Sequence, residues 1–266
     1  MKRIMLFFLK RNAGKIKMQK LYETLFQLSL SGMNYGNGGD FKESGELNVL
    51  KLIKEKLIGE KALTIFDVGG NVGNYSKAIC DFFDKDVATI HSFEPSKKTF
   101  EKFIKNTEGL ANIIPNNFGF SDRESSLTLY TNSEASGLAS VYQRNLVHFG
   151  ISMDKVETIQ LSTIDDYCQK NKIDKIHFLK LDIEGHELNA IKGAKQMIAD
   201  KKVDFIQFEF GGCNIDSRTY FQDFYYLLKD KYRIYRILRD GIFEIEQYKE
   251  TSEIFITVNY LAERLT

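Results

Sequence analysis

Two short stretches concentrate the residues that could do chemistry. The first is Asp67-Val-Gly-Gly-Asn-Val-Gly73. Gly69, Gly70 and Gly73 allow a tight turn and let a ligand approach backbone N–H groups at a helix start. Asp67, two residues before the first glycine, suits a cationic ligand end and would repel a pyrophosphate. The dinucleotide pattern Gly-x-Gly-x-x-Gly, read from Gly69, needs glycine at 71 and 74 but meets Asn71 and Asn74. The second stretch holds Asp182, Glu184, His186 and Glu187, four ionisable groups in six residues. Such crowding at the end of a strand favours proton transfer. His186 is the leading candidate for a base, because its unperturbed pKa lies near neutrality. Glu184 and Glu187 have a second reading as charges that complement a helix dipole. Glu209 closes the next apolar run.

Strands alternating with helices must position these groups. Apolar runs at 62–68, 87–93, 112–117, 176–183 and 203–210 read as strands. Helical spacing recurs at 47–57, 75–83, 99–104, 188–198 and 220–228. Residues 232–238 and 242–245 read as a hairpin with a type I′ turn at Asp240-Gly241, and 254–258 as a last strand. Strand-like pieces at 127–130, 138–142 and 156–161 form a small β insertion around 123–160. The expected fold is α/β: a mostly parallel, seven-stranded Rossmann-like sheet with helices on both faces and an antiparallel edge. Ligands bind such sheets at the carboxyl ends of the strands. Glu94 ends the second strand, placed to accept hydrogen bonds from both hydroxyls of a ribose. S-adenosyl-L-methionine, with an ammonium, a sulfonium and a ribose, fits this set of groups.

The composition narrows the alternatives. The chain has 266 residues, 43% apolar, with 37 basic and 36 acidic side chains. That length suits one domain or a tight pair. A net charge of +1 exerts no global pull on nucleic acid, so no nucleic-acid partner is expected. Cys80, Cys168 and Cys213 are odd in number and include no Cys-x-x-Cys. They read as small buried hydrophobes of a reducing, cytoplasmic compartment. His186-Glu187 opens like a zinc-protease signature, but position 190 is Ala. With no dedicated ligand set visible, no metal is expected. No run approaches the ~18 apolar residues of a membrane span. Two prolines stand in the whole chain, Pro95 directly after Glu94 and Pro115 inside the third strand. Proline is tolerated only at a sheet edge or a bulge, so that strand should be an outer or distorted one.

The N-terminus alone has biased charge. Residues 1–20 carry seven positive side chains and no acid, interleaved with apolar residues. The stretch reads as a basic amphipathic helix in peripheral contact with an anionic membrane, or as a helix packed on the domain or on a second subunit of a homo-oligomer. The glycine-rich loop at 31–40 has neither a strand before it nor Lys-Ser/Thr after it, so it is not a P-loop. The expected division is residues 1–46 as a basic helical extension with a cofactor-covering segment, and 47–266 as the main domain.

Five blocks in order make the chain resemble the FkbM-type S-adenosylmethionine-dependent methyltransferases. They are Phe66-Asp-Val-Gly-Gly-Asn-Val-Gly-Asn-Tyr-Ser76, Phe93-Glu-Pro-Ser96, Phe118-Gly-Phe-Ser-Asp122, Thr163-Ile-Asp-Asp166, and Leu179-Lys-Leu-Asp-Ile-Glu-Gly-His-Glu187 with Ile191-Lys-Gly-Ala194. The resemblance runs from about residue 32 to 262 and leaves the basic N-terminus outside. Gly70 stands where that family usually has Ala. The resemblance implies the class I methyltransferase fold and a methyl transfer, by in-line displacement, to a hydroxyl of a sugar, glycan or secondary metabolite. It implies that Asp67, Gly69, Asn71, Gly73 and Asn74 hold the amino-acid end of the cofactor, and Glu94 the ribose. The stretch 117–122, with Asn117, Phe118 and Asp122, would line the adenine. Asp182 would face the methionine end or the reacting methyl. Glu46, in Ser44-Gly-Glu46, would belong to a covering segment; a Ser-x-Glu pair is equally a helix N-cap. His186, Asp182, Glu184 and Glu209 are the catalytic candidates. Two other readings stay open: an NAD(P)-dependent oxidoreductase, disfavoured by Asn71 and Asn74, and a non-catalytic cofactor-binding scaffold. The acceptor would be selected by the 123–160 insertion and the loop at 211–219.

Overall fold

The computed structural model describes Phe7 and residues 9–266. Part of the basic N-terminal stretch, including Lys2 and Arg3, therefore lies outside the described residues. In chain order the described elements begin with α1 (Gln19–Gly32), α2 (Glu46–Lys56), β1 (Leu63–Val68), α3 (Asn74–Phe82), β2 (Ala88–Phe93), α4 (Lys97–Asn106) and β3 (Ile113–Asn116). Then follow β4 (Gly119–Phe120), β5 (Ser125–Thr131), β6 (Lys155–Ser162), α5 (Ile164–Asn171) and β7 (Ile176–Leu181). The last part holds α6 (Glu187–Lys192), α7 (Lys195–Ala199), β8 (Val203–Phe210), α8 (Cys213–Ser217), α9 (Phe221–Leu228), β9 (Tyr232–Leu238), β10 (Gly241–Glu244) and β11 (Val258–Arg264).

The main sheet runs in the order β10-β9-β11-β8-β7-β1-β2-β3. β1, β2, β3, β7 and β8 are parallel. β11 is antiparallel to both of its neighbours, and β10 pairs antiparallel with β9 at the edge. The sheet is the α/β, class I methyltransferase-like arrangement, with eight strands where seven were expected. The second arm of the C-terminal hairpin supplies the eighth. The chain steps outward from β1 to β3 on one side and from β7 to β8 on the other. β1 and β7 therefore form the point where strand order reverses, which opens a crevice at their carboxyl ends.

Both faces of the sheet are covered. On one face Phe66, Val68, Leu179 and Phe208 pack with α5, α6, α7 and α9; on the other Ile65, Ile90 and Phe178 pack with α2, α3 and α4. Each fully buried large side chain contributes about 1.5–3 kcal/mol relative to exposure. Phe66, Phe93, Phe120 and Tyr167 form a cluster of ring pairs with centroids 4.4–6.3 Å apart. This cluster ties the ends of β1 and β2 to the short strand β4, and so fixes the crevice walls.

Several local expectations change. Residues 138–142 form no strand; Ser140 alone makes an isolated bridge, to Tyr130, because its neighbours turn toward the crevice. The small sheet has the order β4-β6-β5. The last strand begins at Val258, and residues 254–257 are coil. Its polar residues hid it: Asn259 is buried and donates to Glu46 at 3.3 Å. The hairpin pairs Leu238 with Gly241, and no residue of its turn has positive φ, so the turn is not type I′, which needs two such residues. The helix at 188–198 is split at Gly193, where a Cβ would lie 2.1 Å from the Ser121 carbonyl oxygen. Pro115 sits in β3, at the sheet edge, where its missing N–H costs nothing.

Candidate functional site

A cavity of about 910 Å³ opens at the carboxyl ends of β1, β2, β7 and β8. Gly69, Asn71 and Asn74 line it, with Glu46, Glu94, Lys180, Asp182, Glu184, His186 and Glu209. The β1 side is shaped by backbone. Gly69 has φ +87°, and a Cβ there would sit 1.9 Å from the Asp182 carbonyl oxygen. The Gly69 and Gly70 N–H groups both donate to the Phe93 carbonyl at 2.9 Å, which binds the loop to the end of β2. Gly73, φ +86°, precedes the first residue of α3.

Glu94 meets this loop from β2. Its Oε2 accepts the Asn71 N–H at 3.1 Å and its Oε1 the Ser96 N–H at 2.9 Å. Burial pushes its pKa up to about 8, against the two backbone donors that lower it. Each oxygen retains a lone pair, so the group can still accept from a diol.

Asp67 is fully buried and does not line the cavity. Its Oδ2 accepts from Ser76 Oγ at 2.6 Å; its Oδ1 has no hydrogen-bond partner and lies 3.9 Å from Lys180 Nζ. Lys180, also buried, donates to Asp182 Oδ2 at 2.9 Å and lies 4.5 Å from the Tyr75 ring centroid. Burial works to lower the Lys180 pKa, but the charges of Asp182, Asp67 and Glu46 outweigh it and raise it. Asp67 thus acts on the cavity from beneath the loop, through Lys180. Sequence reasoning missed this lysine, although a lysine inside the apolar run of β7 was a signal for a buried partner.

Glu46 is buried, lines the cavity and has a pKa raised to about 7, first by burial. It accepts from Ser44 Oγ at 3.0 Å and Gln207 Nε2 at 2.5 Å. The N-cap of α2 is Gly45, without a side-chain cap bond, so the Ser-x-Glu pair is no conventional N-cap.

Of the 117–122 stretch, Gly119 and Phe120 reach the cavity, whereas Asn117, Phe118 and Asp122 do not. Asn117 donates to the Glu94 and Pro95 carbonyls, Phe118 packs on Phe93, and Asp122 is exposed beside Ser121. An adenine contact by Asp122 is therefore set aside; the role of Asn117 is to brace the chain after Glu94.

The β7 side is built from side chains. A strap at 136–146 crosses the cavity and is stitched to the β7–α6 loop. Ser140 Oγ donates to the Glu184 carbonyl at 2.7 Å, Tyr142 Oη meets His186 Nδ1 at 3.0 Å, and Arg144 ion-pairs with Glu184. Glu187, the other acid of this loop, is fully buried and accepts N–H bonds from Ile183 at 2.9 Å and Gly185 at 3.0 Å. It holds the turn, and its predicted dipole role becomes a local capping one.

His186 does not have the freedom a base needs. Its Nε2 meets Ser121 Oγ at 3.0 Å, and Nδ1 is shared by Tyr142 Oη and Asn189 Nδ2. Burial lowers its pKa to about 4. The imidazole is a neutral brace between β4, the strap and α6. Glu209 is different. It is buried at the end of β8 and lines the cavity, and its one side-chain hydrogen-bond partner among the described residues is Cys213 Sγ at 4.0 Å. Burial, then the charges of Asp182, Glu184 and Glu187, push its pKa well up. Glu184 is raised to about 8, by burial first, with Arg144 lowering it; its φ of +52° marks a strained backbone held by its surroundings.

Glu184, Glu209 and Cys213 bring ligand-type atoms within 4.8 Å of one another. Their separation in the chain hid this group. Arg144 already supplies a positive charge beside it.

A family profile described as the methyltransferase FkbM domain matches residues 67–237. The chain belongs to the methyltransferase FkbM family. Among relatives, it is 28% identical over 163 residues to the hexuronic acid methyltransferase AglP of Haloferax volcanii, covering 61% of this chain and 61% of that protein. It is 23% identical over 144 residues to methyltransferase 1 of Beauveria bassiana, covering 48% of this chain and 57% of that one. The matches thus span less than two thirds of the length of either relative. A methyltransferase FkbM of Methylobacillus flagellatus KT superposes with a TM-score of 0.46 at 18% identity, covering 76% of this chain and 44% of that one. An O-methyltransferase of Bacillus cereus in complex with SAH superposes with a TM-score of 0.43 at 10% identity, covering 95% and 94%. The FkbM match takes in the β1 loop, Glu94, the strap, the β7–α6 loop and Glu209. It leaves Glu46 and α1 outside.

Proposed function

We propose that this protein is an S-adenosyl-L-methionine-dependent O-methyltransferase acting on a hydroxyl of a sugar or glycan. The observation that carries the reading is one cavity with two kinds of wall. Gly69, Asn71 and Glu94 form a close-fitting backbone cradle with a diol acceptor; half-buried Glu184, paired with Arg144, and buried Glu209 line the cavity across from it.

The residues fit such a cofactor. Glu94 keeps lone pairs for two ribose hydroxyls, and Glu46 and Asp182, which line the cavity beside Lys180, offer carboxyl oxygens to the ammonium of a methionine end. When bound, S-adenosyl-L-methionine supplies a methyl group made electrophilic by a sulfonium. The chain's own task is to align the acceptor oxygen with it, which is worth several orders of magnitude in rate. Glu209 in its carboxylate form would take the proton of the acceptor hydroxyl as that oxygen accepted the methyl group, the methyl–sulfur bond breaking and the sulfur leaving as a neutral thioether. The cationic cofactor favours that carboxylate form. Arg144 holds Glu184 in place, leaving the outer oxygens of the pair to accept from neighbouring hydroxyls of a polyhydroxylated acceptor. The hexuronic acid methyltransferase among the relatives agrees with a sugar acid as the first acceptor to try.

The test is transfer of labelled methyl from S-adenosyl-L-methionine onto a panel of hexuronic acids, neutral sugars and glycan fractions. Product with a sugar hydroxyl supports the reading. Binding of NADH, with no binding of S-adenosyl-L-methionine, would sink it.

A further inference from the structure

We propose that α1 and the basic segment before it dock the protein on an anionic membrane surface. The observations are independent of the methyltransferase reading. Only the end of α1 is held by the domain. Leu30 is its one buried residue, and just beyond it the Asn34 side chain donates to the Ser44 and Ile237 carbonyls at 2.8 and 3.1 Å. The rest of the helix, residues 19–29, about 16 Å long at 1.5 Å per residue, carries no buried residue.

Its apolar side is uncovered. Leu21 is 42% exposed, Phe26 56% and Leu28 64%, while Ile16 just before the helix is 91% exposed. Leu21, Leu25 and Leu28 lie in one stripe at helical spacing, with Tyr22 and Phe26 flanking it. Lys20, Glu23, Thr24, Gln27 and Ser31 take the opposite side. The Tyr22 hydroxyl donates to the Leu9 carbonyl at 2.5 Å, which folds the preceding segment back along α1. That segment carries Lys10, Arg11, Lys15 and Lys17, which with Lys20 are all exposed. None of these five cations is in an ion pair among the described residues.

Charge and apolarity together select the occupant. A second copy of the chain, paired about a two-fold axis, would set this basic patch against itself. Nucleic acid would satisfy the lysines but leave the leucines and phenylalanine in water. An anionic bilayer offers both: headgroups for the lysines and the acyl boundary for the apolar stripe. No helix among the described residues is long and apolar enough to cross a membrane, so the contact is peripheral. Asn34 links the end of α1 to residues 36–41, several of which line the cavity, so the docked surface lies near one rim of the site.

The experiment is co-sedimentation of the full chain with vesicles of phosphatidylglycerol and phosphatidylcholine, against phosphatidylcholine alone. Wild type should pellet with the anionic vesicles, less so as salt rises. Lys15→Gln/Lys17→Gln/Lys20→Gln should weaken binding about tenfold or more. Leu21→Ser/Phe26→Ser/Leu28→Ser should weaken it comparably. Both variants should keep the wild-type circular dichroism and wild-type affinity for S-adenosyl-L-methionine, which separates this proposal from failure of the methyltransferase reading. Wild type remaining in the supernatant, or the apolar variant binding like wild type, would overturn the proposal. So would light scattering that shows a dimer which the apolar variant dissolves.

Discussion

On the β1 side of the cavity the wall is backbone. Gly69 lies against the Asp182 carbonyl, two N–H groups converge on the Phe93 carbonyl, and Glu94 is fixed by two more N–H donors. On the β7 side the wall is a set of side-chain ties between segments about 40 residues apart, from Ser140, Tyr142 and Arg144 to Glu184 and His186. The first wall depends on chain geometry that one extra methyl group disrupts. The second depends on hydrogen bonds that can be exchanged singly.

The largest effect should therefore come from the smallest change. Gly69→Ala places a Cβ against backbone and forces a positive φ on alanine, costing well over about 1 kcal/mol. Calorimetry should show no S-adenosyl-L-methionine binding, and thermal melts a lower midpoint. Normal binding would mean that the backbone wall is less rigid than the comparison requires.

Next comes Glu209→Gln. It removes the proposed base without disturbing the cradle. Turnover should fall by about 10²–10⁴-fold with cofactor affinity within about twofold of wild type. A loss shared between turnover and cofactor affinity would show that the two walls are not separate.

The smallest effect is in pH dependence. Glu46, Glu94, Glu184 and Glu187 are raised from the usual 4.5 to about 7, 8, 8 and 7, each by burial first. The folded protein thus holds protons that the unfolded chain has released, and these groups lose stability as pH rises from about 4.5 toward 8. His91 and His186 are lowered from 6.5 to about 4, so they add stability as pH rises to about 6.5. Above that only the carboxyl trend remains. The melting temperature of the free protein should fall by a few degrees between about pH 6.5 and 8, and Glu94→Gln should flatten the decline. A midpoint that rises over this range would contradict the burial argument.

The same contrast explains what the sequence revealed. The cradle was legible because its signals are local: glycine spacing after an apolar run, and an acid at the next strand's end. Pro115 marked the edge strand for a similar reason, since a missing N–H is tolerated in few places. The β7-side wall was not legible. His186 looked like a base because its spacing says nothing about Ser121 and Tyr142, which occupy both ring nitrogens. Residues 138–142 looked like a strand because apolar alternation does not record that Ser140 and Tyr142 are drawn to the β7–α6 loop. Glu209 and Cys213 are four residues apart, but their approach to Glu184 comes only from β7 and β8 pairing side by side. Asp122 followed the motif correctly yet points to solvent, one residue beyond the Ser121 that reaches His186.

The central claim is that the β1–β2 cradle binds S-adenosyl-L-methionine through Glu94. The most direct measurement is isothermal titration of S-adenosyl-L-methionine into wild type and Glu94→Gln. The account predicts a single site in wild type, weakened roughly 10–100-fold in the variant, as expected when hydrogen bonds to a buried acceptor, about 1–3 kcal/mol, are lost. No binding to folded wild type, or equal affinity in the variant, would contradict it.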